Sequence, residues 1–262
     1  FKMQSTILEN GLVDYCLPLS EHEISLNSYL DHTITLSYTG KIFCIATGEL
    51  IKKSYGQGYS YKAFISLAQC DICIIKPELC HFDQGTCREP DWGKEHCYQT
   101  HVVYLSETSS VKVGITRLKN IPSRWVDQGA IQAIELFRVA SRKDAGLHEL
   151  ELAKLVGDKT DWRKMLTKER EEIDLKFLKD EILNKYPFQM MPLIESQTSN
   201  DITRIKYPGH LAKKLTSLSF DKTPLIKDKL IGIRGQYLIF PSGVLNIRKF
   251  QGYQLTFSVE SK

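Results

Sequence analysis

The 262-residue chain is expected to fold as an α+β protein with more than one compact part. Three observations predict this. Alternating β-branched stretches occupy both ends, helix-patterned stretches lie between, and five of the seven cysteines crowd into positions 70–97. The length exceeds what one small core needs. A hydrophobic share of 42% with 25% charged residues excludes a disordered chain. The 16 Gly and 9 Pro follow no period, which excludes a collagen-like one. No run approaches the roughly 18 consecutive apolar residues of a membrane span.

Residues 1–50 form an N-terminal β module. Ile24–Leu26, His32–Tyr38 and Lys41–Ile45 alternate and are punctuated by Gly40 and Gly48. Residues 52–62 (KKSYGQGYSYK) are a Gly/Tyr-rich loop leading into a metal-binding segment at 51–100. A core follows at 101–160. It opens with a hairpin of His101–Leu105 and Val111–Thr116 around the turn Ser106–Ser110. Pro122 starts a short helix ended by Gly129, and Ala133–Ala140 is a strand. Lys143–Val156 is a helix, with leucines at helical intervals and Gly157 at the C′ position. A charged helical linker spans 161–200, with Asp161–Tyr186, as one helix or an interrupted one, stopped by Pro187 and Pro192. Residues 201–262 return to strand character in a basic C-terminal β module, notably at Lys229–Phe240 and Val244–Ile247. The N- and C-terminal strands are expected to share one β-rich module.

The cysteines carry the strongest chemical signal. Cys70, Cys73, Cys80, Cys87 and Cys97 read C-x2-C-x6-C-x6-C-x9-C, and three residues separate Cys97 from His101. No basic-then-apolar segment opens the chain, so a reducing, cytoplasmic compartment is the expectation, and disulfides are disfavoured there. Clustered thiols in such a compartment read as a metal site. The surrounding segment is polar and rich in Gly and Pro, so a metal would substitute for a core. Structural Zn2+ held by four thiolates is the favoured reading. An iron–sulfur cluster and a set of buried free thiols stay open. Five cysteines exceed the four that one zinc takes. Which is spare, and whether His101 serves instead, is also open.

Charge is unevenly spread. Residues 1–40 carry one lysine against five acids, whereas residues 203–250 carry ten Lys and Arg against two aspartates. A basic C-terminal third can meet phosphates. Arg117, Lys213, Lys214, Arg234, Arg248 and Lys249 are the candidate nucleic-acid contacts.

In the core, adjacent strands present Tyr104 and Lys112, the next helix Arg124, and a later helix Glu149. These are the parts of metal-assisted phosphodiester cleavage. A carboxylate holds a divalent cation, here Mg2+ or Mn2+, and an arginine supplies fixed donors to phosphate oxygens. A tyrosine or lysine can relay the proton of an attacking water. His148 is a weaker candidate for proton transfer.

The order of these elements resembles the GIY-YIG nucleases. VVY at 102–104 places Tyr104 at the first-motif tyrosine, and K-V-G-I-T at 112–116 places Val113 and Gly114 at the end of the second. Arg124 matches the helical arginine, and Glu149, within Ala145–Glu149, matches the metal-binding glutamate. Lys112 stands where the second motif has tyrosine, and the superfamily's C-terminal asparagine has no clear counterpart. Over about 10–255 the chain resembles a narrower bacterial family, DUF2797, on CDICIIKPELCHFDQGTCREPDWGKEHC (70–97), HVVYL, VKVGITR, RWVDQGA and GIRGQYLIF. That resemblance implies zinc binding and a GIY-YIG-like middle. It also implies an upstream zinc ribbon at Cys44, Thr47, Ser60 and Ala63, three of which are not cysteines here, so that site is expected to be empty and Cys44 free.

Three functions follow as expectations. The first is a divalent-metal-dependent nuclease in which Glu149 holds Mg2+ or Mn2+, Arg124 and Lys112 grip the phosphate, and Tyr104 activates water. The second is a non-catalytic, zinc-stabilised nucleic-acid-binding protein with a degenerate nuclease fold. The third is a protein-interaction scaffold. None involves a membrane.

Overall fold

The computed structural model describes residues 3–19, 22–156, 159–169, 171–186 and 198–260. In chain order the strands are β1 (Gln4–Ile7), β2 (Val13–Leu19), β3 (His22–Ser25), β4 (Thr33–Phe43) and β5 (Leu50–Ile51). Helices α1 (Tyr61–Ser66) and α2 (Pro90–His96) follow, with short 3-10 turns between them. Next come β6 (His101–Glu107), β7 (Val111–Arg117), α3 (Ser123–Asp127), β8 (Gln132–Val139) and α4 (Arg142–Val156). After α5 (Trp162–Thr167) and α6 (Leu175–Lys185) come β9 (Thr203–Arg204), β10 (Leu225–Lys229), β11 (Gly232–Arg234), β12 (Tyr237–Phe240), β13 (Gly243–Asn246) and β14 (Tyr253–Val259). The mix of helices and antiparallel sheets is an α+β architecture.

The chain divides into two compact units, one of residues 1–65, 163–169 and 205–262, the other of 66–162 and 170–204. Residues 51–65 of the expected zinc-binding segment thus fall in the first unit, and residues 66–100 share the second with the hairpin core.

The first unit is built on strands from both chain ends. β4 lies between β10 and β14, antiparallel to both, and pairs with β5 at its end. β1-β2-β3 and β11-β12-β13 are small antiparallel sheets of their own. Alternation drives the burial: Val13, Tyr15 and Leu17 of β2 are fully buried, as are Ile34 and nearly so Leu36 of β4. Gly40 does not end a strand. It sits inside β4 at φ +85°, where the pairing with β14 jumps from Tyr38↔Leu255 to Ile42↔Tyr253. That offset is a bulge, and the positive φ explains the glycine. At the other end, Lys229 closes β10, and Gly235 lies in the turn between β11 and β12.

The second unit carries an antiparallel sheet in the order β7-β6-β8-β9. One face is apolar. Val103, Leu105, Val113, Ile115, Ile134 and Phe137 cluster with Ala145 and Leu152 of α4 and with Leu175 and Ile182 of α6. The period of a strand sends the intervening residues Tyr104, Ser106, Lys112 and Gly114 to the opposite face. Asp161–Tyr186 is broken into α5 and α6, and Asp174 caps α6 by accepting from the amides of Lys176 and Phe177 at 3.0 Å each. Gly157, Pro187 and Pro192 lie outside the described residues.

Candidate functional site: a cysteine cavity beside a closed tyrosine–arginine–glutamate cluster

The segment before β6 is a chain of 3-10 turns with little core of its own. Polar contacts stitch it. Asp71 accepts from the amide of Cys73 and pairs with Arg88 Nε at 2.7 Å, and Glu89 accepts from the amide of Ala68 at 2.7 Å. These contacts wrap a cavity of about 10 Å3 whose walls include Cys73, Cys80, Cys87 and Cys97. That is about the space one water needs. Gly93 of α2 keeps it tight: a Cβ there would stand 2.9 Å from the Phe82 ring and 3.3 Å from Cys87 Sγ.

The thiols feel one another. Burial pushes Cys73 up to about 12, and Asp71, Cys80 and Cys97 add to the rise. Burial also raises Cys97; Arg142 opposes the rise, while Cys80 and Cys87 reinforce it. Sulfurs that resist ionisation because they are buried, and because neighbouring thiolates would repel one another, are relieved by a bound cation. By their chemistry these thiols suit a metal, but among the described residues the four sulfurs are not a group brought within 4.8 Å of one another. Asp71, Cys73 and His81 do place one ligand atom each within 4.8 Å of one another, a group that could hold an ion. In that group Asp71 is engaged by Arg88 at 2.7 Å, and His81 Nδ1 meets Thr86 Oγ1 at 2.7 Å. Cys70 and His101 are not among the cavity's walls. His101 is fully buried, its Nδ1 lies 2.6 Å from the Gln99 carbonyl, and burial holds its imidazole down to about 4.

Tyr104, Arg124 and Glu149 meet on the polar side of the sheet. Burial raises the Tyr104 hydroxyl, Glu149 adds to the rise, and Arg124 lowers it by charge and by a hydrogen bond. The hydroxyl donates to Gln128 Oε1 at 3.0 Å, and the ring meets Trp125 edge-on at 5.8 Å. Across the hairpin Tyr104 faces Gly114. A Cβ at Gly114 would stand 2.7 Å from the Tyr104 hydroxyl oxygen, so the glycine is the space the ring occupies. Tyr104 is 0% exposed and Lys112 only 6%, which shuts both away from solvent. Arg124 and Glu149 are half-buried.

Arg142, at the start of α4, joins the two places. It donates to the Ile74 carbonyl at 2.6 Å and lies in the fields of Cys97, Arg124, Cys73 and Glu149. Glu149 therefore stands among two guanidinium groups. That field favours an ion pair at Glu149 over a divalent cation, so the residues fit Mg2+ or Mn2+ poorly. Sequence reasoning missed Arg142 and Gln128. One signal was available for Arg142: cations are disfavoured in the first turn of a helix, and Arg142–Lys143 breaks that rule.

Other expected residues are scattered. His148 turns into the core, with Nδ1 2.8 Å from the Tyr186 hydroxyl and its ring edge-on to Phe137 at 4.7 Å; burial lowers its pKa. Arg117 is half-buried at the end of β7 and acts on Cys97 and His101. Arg234 does not face solvent: it is 5% exposed, with its guanidinium 5.2 Å from the Tyr207 ring. Lys213, Lys214 and Lys249 are exposed, and Arg248 is half-buried. At the ribbon positions, Cys44 is buried and accepts from the Ser60 amide at 3.2 Å.

A family model, a protein of unknown function called DUF2797, matches residues 31–255. The chain belongs to that family. The match takes in the cysteine cavity, the Tyr104 cluster and β4 to the start of β14, and it leaves β1–β3 outside. No curated protein and no solved structure matches. As a DUF2797 protein it brings no activity with its family. Among the described residues, no helix is long and apolar enough to cross a membrane.

Proposed function

We propose that the chain is a zinc-stabilised, nucleic-acid-binding cytoplasmic protein whose core is a GIY-YIG-type fold without turnover. The order of hairpin, helix with Arg124, strand and helix with Glu149 supports the fold, and so does the meeting of those residues at Tyr104. Tyr104 carries the non-catalytic part. It is wholly buried with its hydroxyl engaged by Gln128 and Arg124, which supports a tyrosine that packs rather than activates water. The exposed Lys213, Lys214 and Lys249 support a phosphate-bearing partner.

Cys73, Cys80, Cys87 and Cys97 would hold the zinc, which supplies a cross-link in place of a core. A cavity of about 10 Å3 suits one ion better than a multi-atom iron–sulfur cluster. Metal analysis of the purified protein tests this: one zinc per chain supports it, and iron with sulfide refutes it.

A second reading, a Mg2+- or Mn2+-dependent nuclease, is favoured by the convergence of Tyr104, Arg124 and Glu149. One experiment separates the two. The wild type and Glu149→Gln are incubated with single- and double-stranded DNA and RNA plus either metal, and binding is measured in parallel. Binding without cleavage by either protein supports the proposal. Cleavage that Glu149→Gln abolishes establishes the nuclease.

A further inference from the structure

The Gly/Tyr-rich loop of the first unit is a tightly hydrogen-bonded hairpin. Tyr55 and Tyr59 exchange amide–carbonyl bonds at 2.9 Å each, and the Gly58 amide donates to Ser54 Oγ at 2.7 Å. Gly56, Gln57 and Gly58 all have positive φ. Gly58 is required twice, since a Cβ there would stand 2.7 Å from Ile45 Cγ2 and 3.1 Å from the Gln251 carbonyl. The Ser60 amide on Cys44 Sγ anchors the far side.

This hairpin displays aromatic rings among cations. Tyr61 is 60% exposed and lies 5.3 Å from Tyr55 between ring centres, while Lys53 Nζ stands 5.2 Å from the Tyr55 ring centre. Lys52, Lys53 and Lys62 are exposed, and no Asp or Glu occurs from 50 to 70. The loop abuts the turn at Gln251, two residues after Lys249 and three after Arg248. Beside it lies an open recess of about 360 Å3 bordered by Cys44, Ile45 and Tyr253.

We propose that the 52–62 hairpin is a binding site for single-stranded nucleic acid, with Tyr61 as a stacking platform and Lys52 and Lys53 as phosphate contacts. The chemistry is specific to unpaired bases. A ring presented to solvent stacks on any exposed base face, and adjacent lysines track the backbone. A duplex hides those faces, so it offers the lysines charge but the tyrosine nothing. Preorganisation by the hairpin lowers the ordering cost of binding. This inference rests on the nucleic-acid reading above and names its ligand class.

The test uses the full chain in fluorescence-anisotropy titrations with labelled oligo(dT), oligo(rU) and a duplex, at ~50 and ~200 mM salt. Vesicles containing phosphatidylserine are run in parallel. Single strands should bind more tightly than duplex, and the two oligomers show whether ribose matters. Tyr61→Ala should weaken single-strand binding roughly tenfold while Tyr61→Phe keeps it. Lys52→Gln with Lys53→Gln should lower the salt slope by about 1.4, at ~0.7 per charge. Tyr61 is surface-exposed, so an unchanged melting curve separates lost binding from lost folding. Single-strand binding that these variants leave intact overturns the site but spares the broader reading. Capture by vesicles but not by oligomers, or no binding to any nucleic acid, overturns both.

Discussion

Gly114→Ala is a sharp test of why the hairpin pairs a tyrosine with a glycine. An added Cβ would stand 2.7, 2.8 and 3.0 Å from Oη, Cζ and Cε2 of Tyr104. Ordinary contact needs about 3.4 Å or more, so the ring must retreat by roughly 0.7 Å. It is fully buried against Trp125, which leaves little room. Overpacking of this kind costs about 1–3 kcal/mol. Gly114 lacks a positive φ, so the alanine backbone is unstrained and regains about 0.5–1 kcal/mol of strand propensity. The net loss is about 1–2 kcal/mol, or a fall of about 4–8 °C in the melting of this unit. Trp92, Trp125 and Trp162 all lie in the second unit, so tryptophan fluorescence follows it alone. Urea titrations of Gly114→Ala should show the loss in the wild-type background and in Tyr104→Phe, where Cζ still clashes. The loss should vanish in Tyr104→Leu, which ends short of the ring's outer edge. An equal penalty in all three backgrounds, or none in the first, would refute the packing account.

Further predictions concern the thiols and Arg142. Cys73→Ser and Cys97→Ser should each release the zinc and lower the fluorescence-detected melting point, whereas Cys70→Ser should keep one zinc per chain; zinc loss from Cys70→Ser would move the site. Burial works to raise Cys44, but hydrogen bonds from Thr47 and from the amides of Ser60, Ala46 and Thr47 outweigh it and bring the thiol to about 6. Its ionised form then stabilises the fold fully above the unfolded value of about 8.5, and that contribution is lost as pH falls through about 6. Wild type should therefore gain stability relative to Cys44→Ser as pH rises through that window, read by urea unfolding with circular dichroism; parallel curves would sink the assignment. Arg142→Ala removes a charged hydrogen bond from the Ile74 carbonyl and should cost about 1.5–3 kcal/mol. It should also raise the zinc dissociation constant, measured by competition with a chelator, because a cation beside Cys73 and Cys97 favours their thiolates.

The sequence made the elements legible where periodicity and local chemistry agreed. The hairpin, the strand after it and the helix of Arg142–Val156 appear within a residue or two of their expected ends. Gly40 was misleading because a glycine marks a bulge inside a strand as readily as a break between strands. The cysteine run pointed to a metal segment, but spacing alone could not say that Cys73, Cys80, Cys87 and Cys97 line one cavity and Cys70 does not, since that depends on how the turns fold in three dimensions. Tyr104 and Arg124 stood out by type and order. Their burial did not, because an amphipathic tyrosine on a strand reads the same exposed or enclosed. Arg234 looked like part of a basic surface, yet its contact with Tyr207 depends on pairing between distant segments that no local pattern records.

Helix α4 shows how the two halves of the site depend on each other. Ala145, His148 and Leu152 turn one stripe of the helix into the core. Arg142, Gly146 and Glu149, spaced four and three residues apart, form the neighbouring stripe. Arg142 holds the Ile74 carbonyl, and a Cβ on Gly146 would stand 2.5 Å from Pro77 Cβ, so the cysteine segment lies directly on this stripe. One turn further on, Glu149 acts on Tyr104 and Arg142. A helix is stiff over this distance, so whatever holds the cysteine segment in place also fixes where Glu149 stands. A structural metal held there would then be more than a substitute for a core. It would set the register of the helix that keeps the charged cluster around Tyr104.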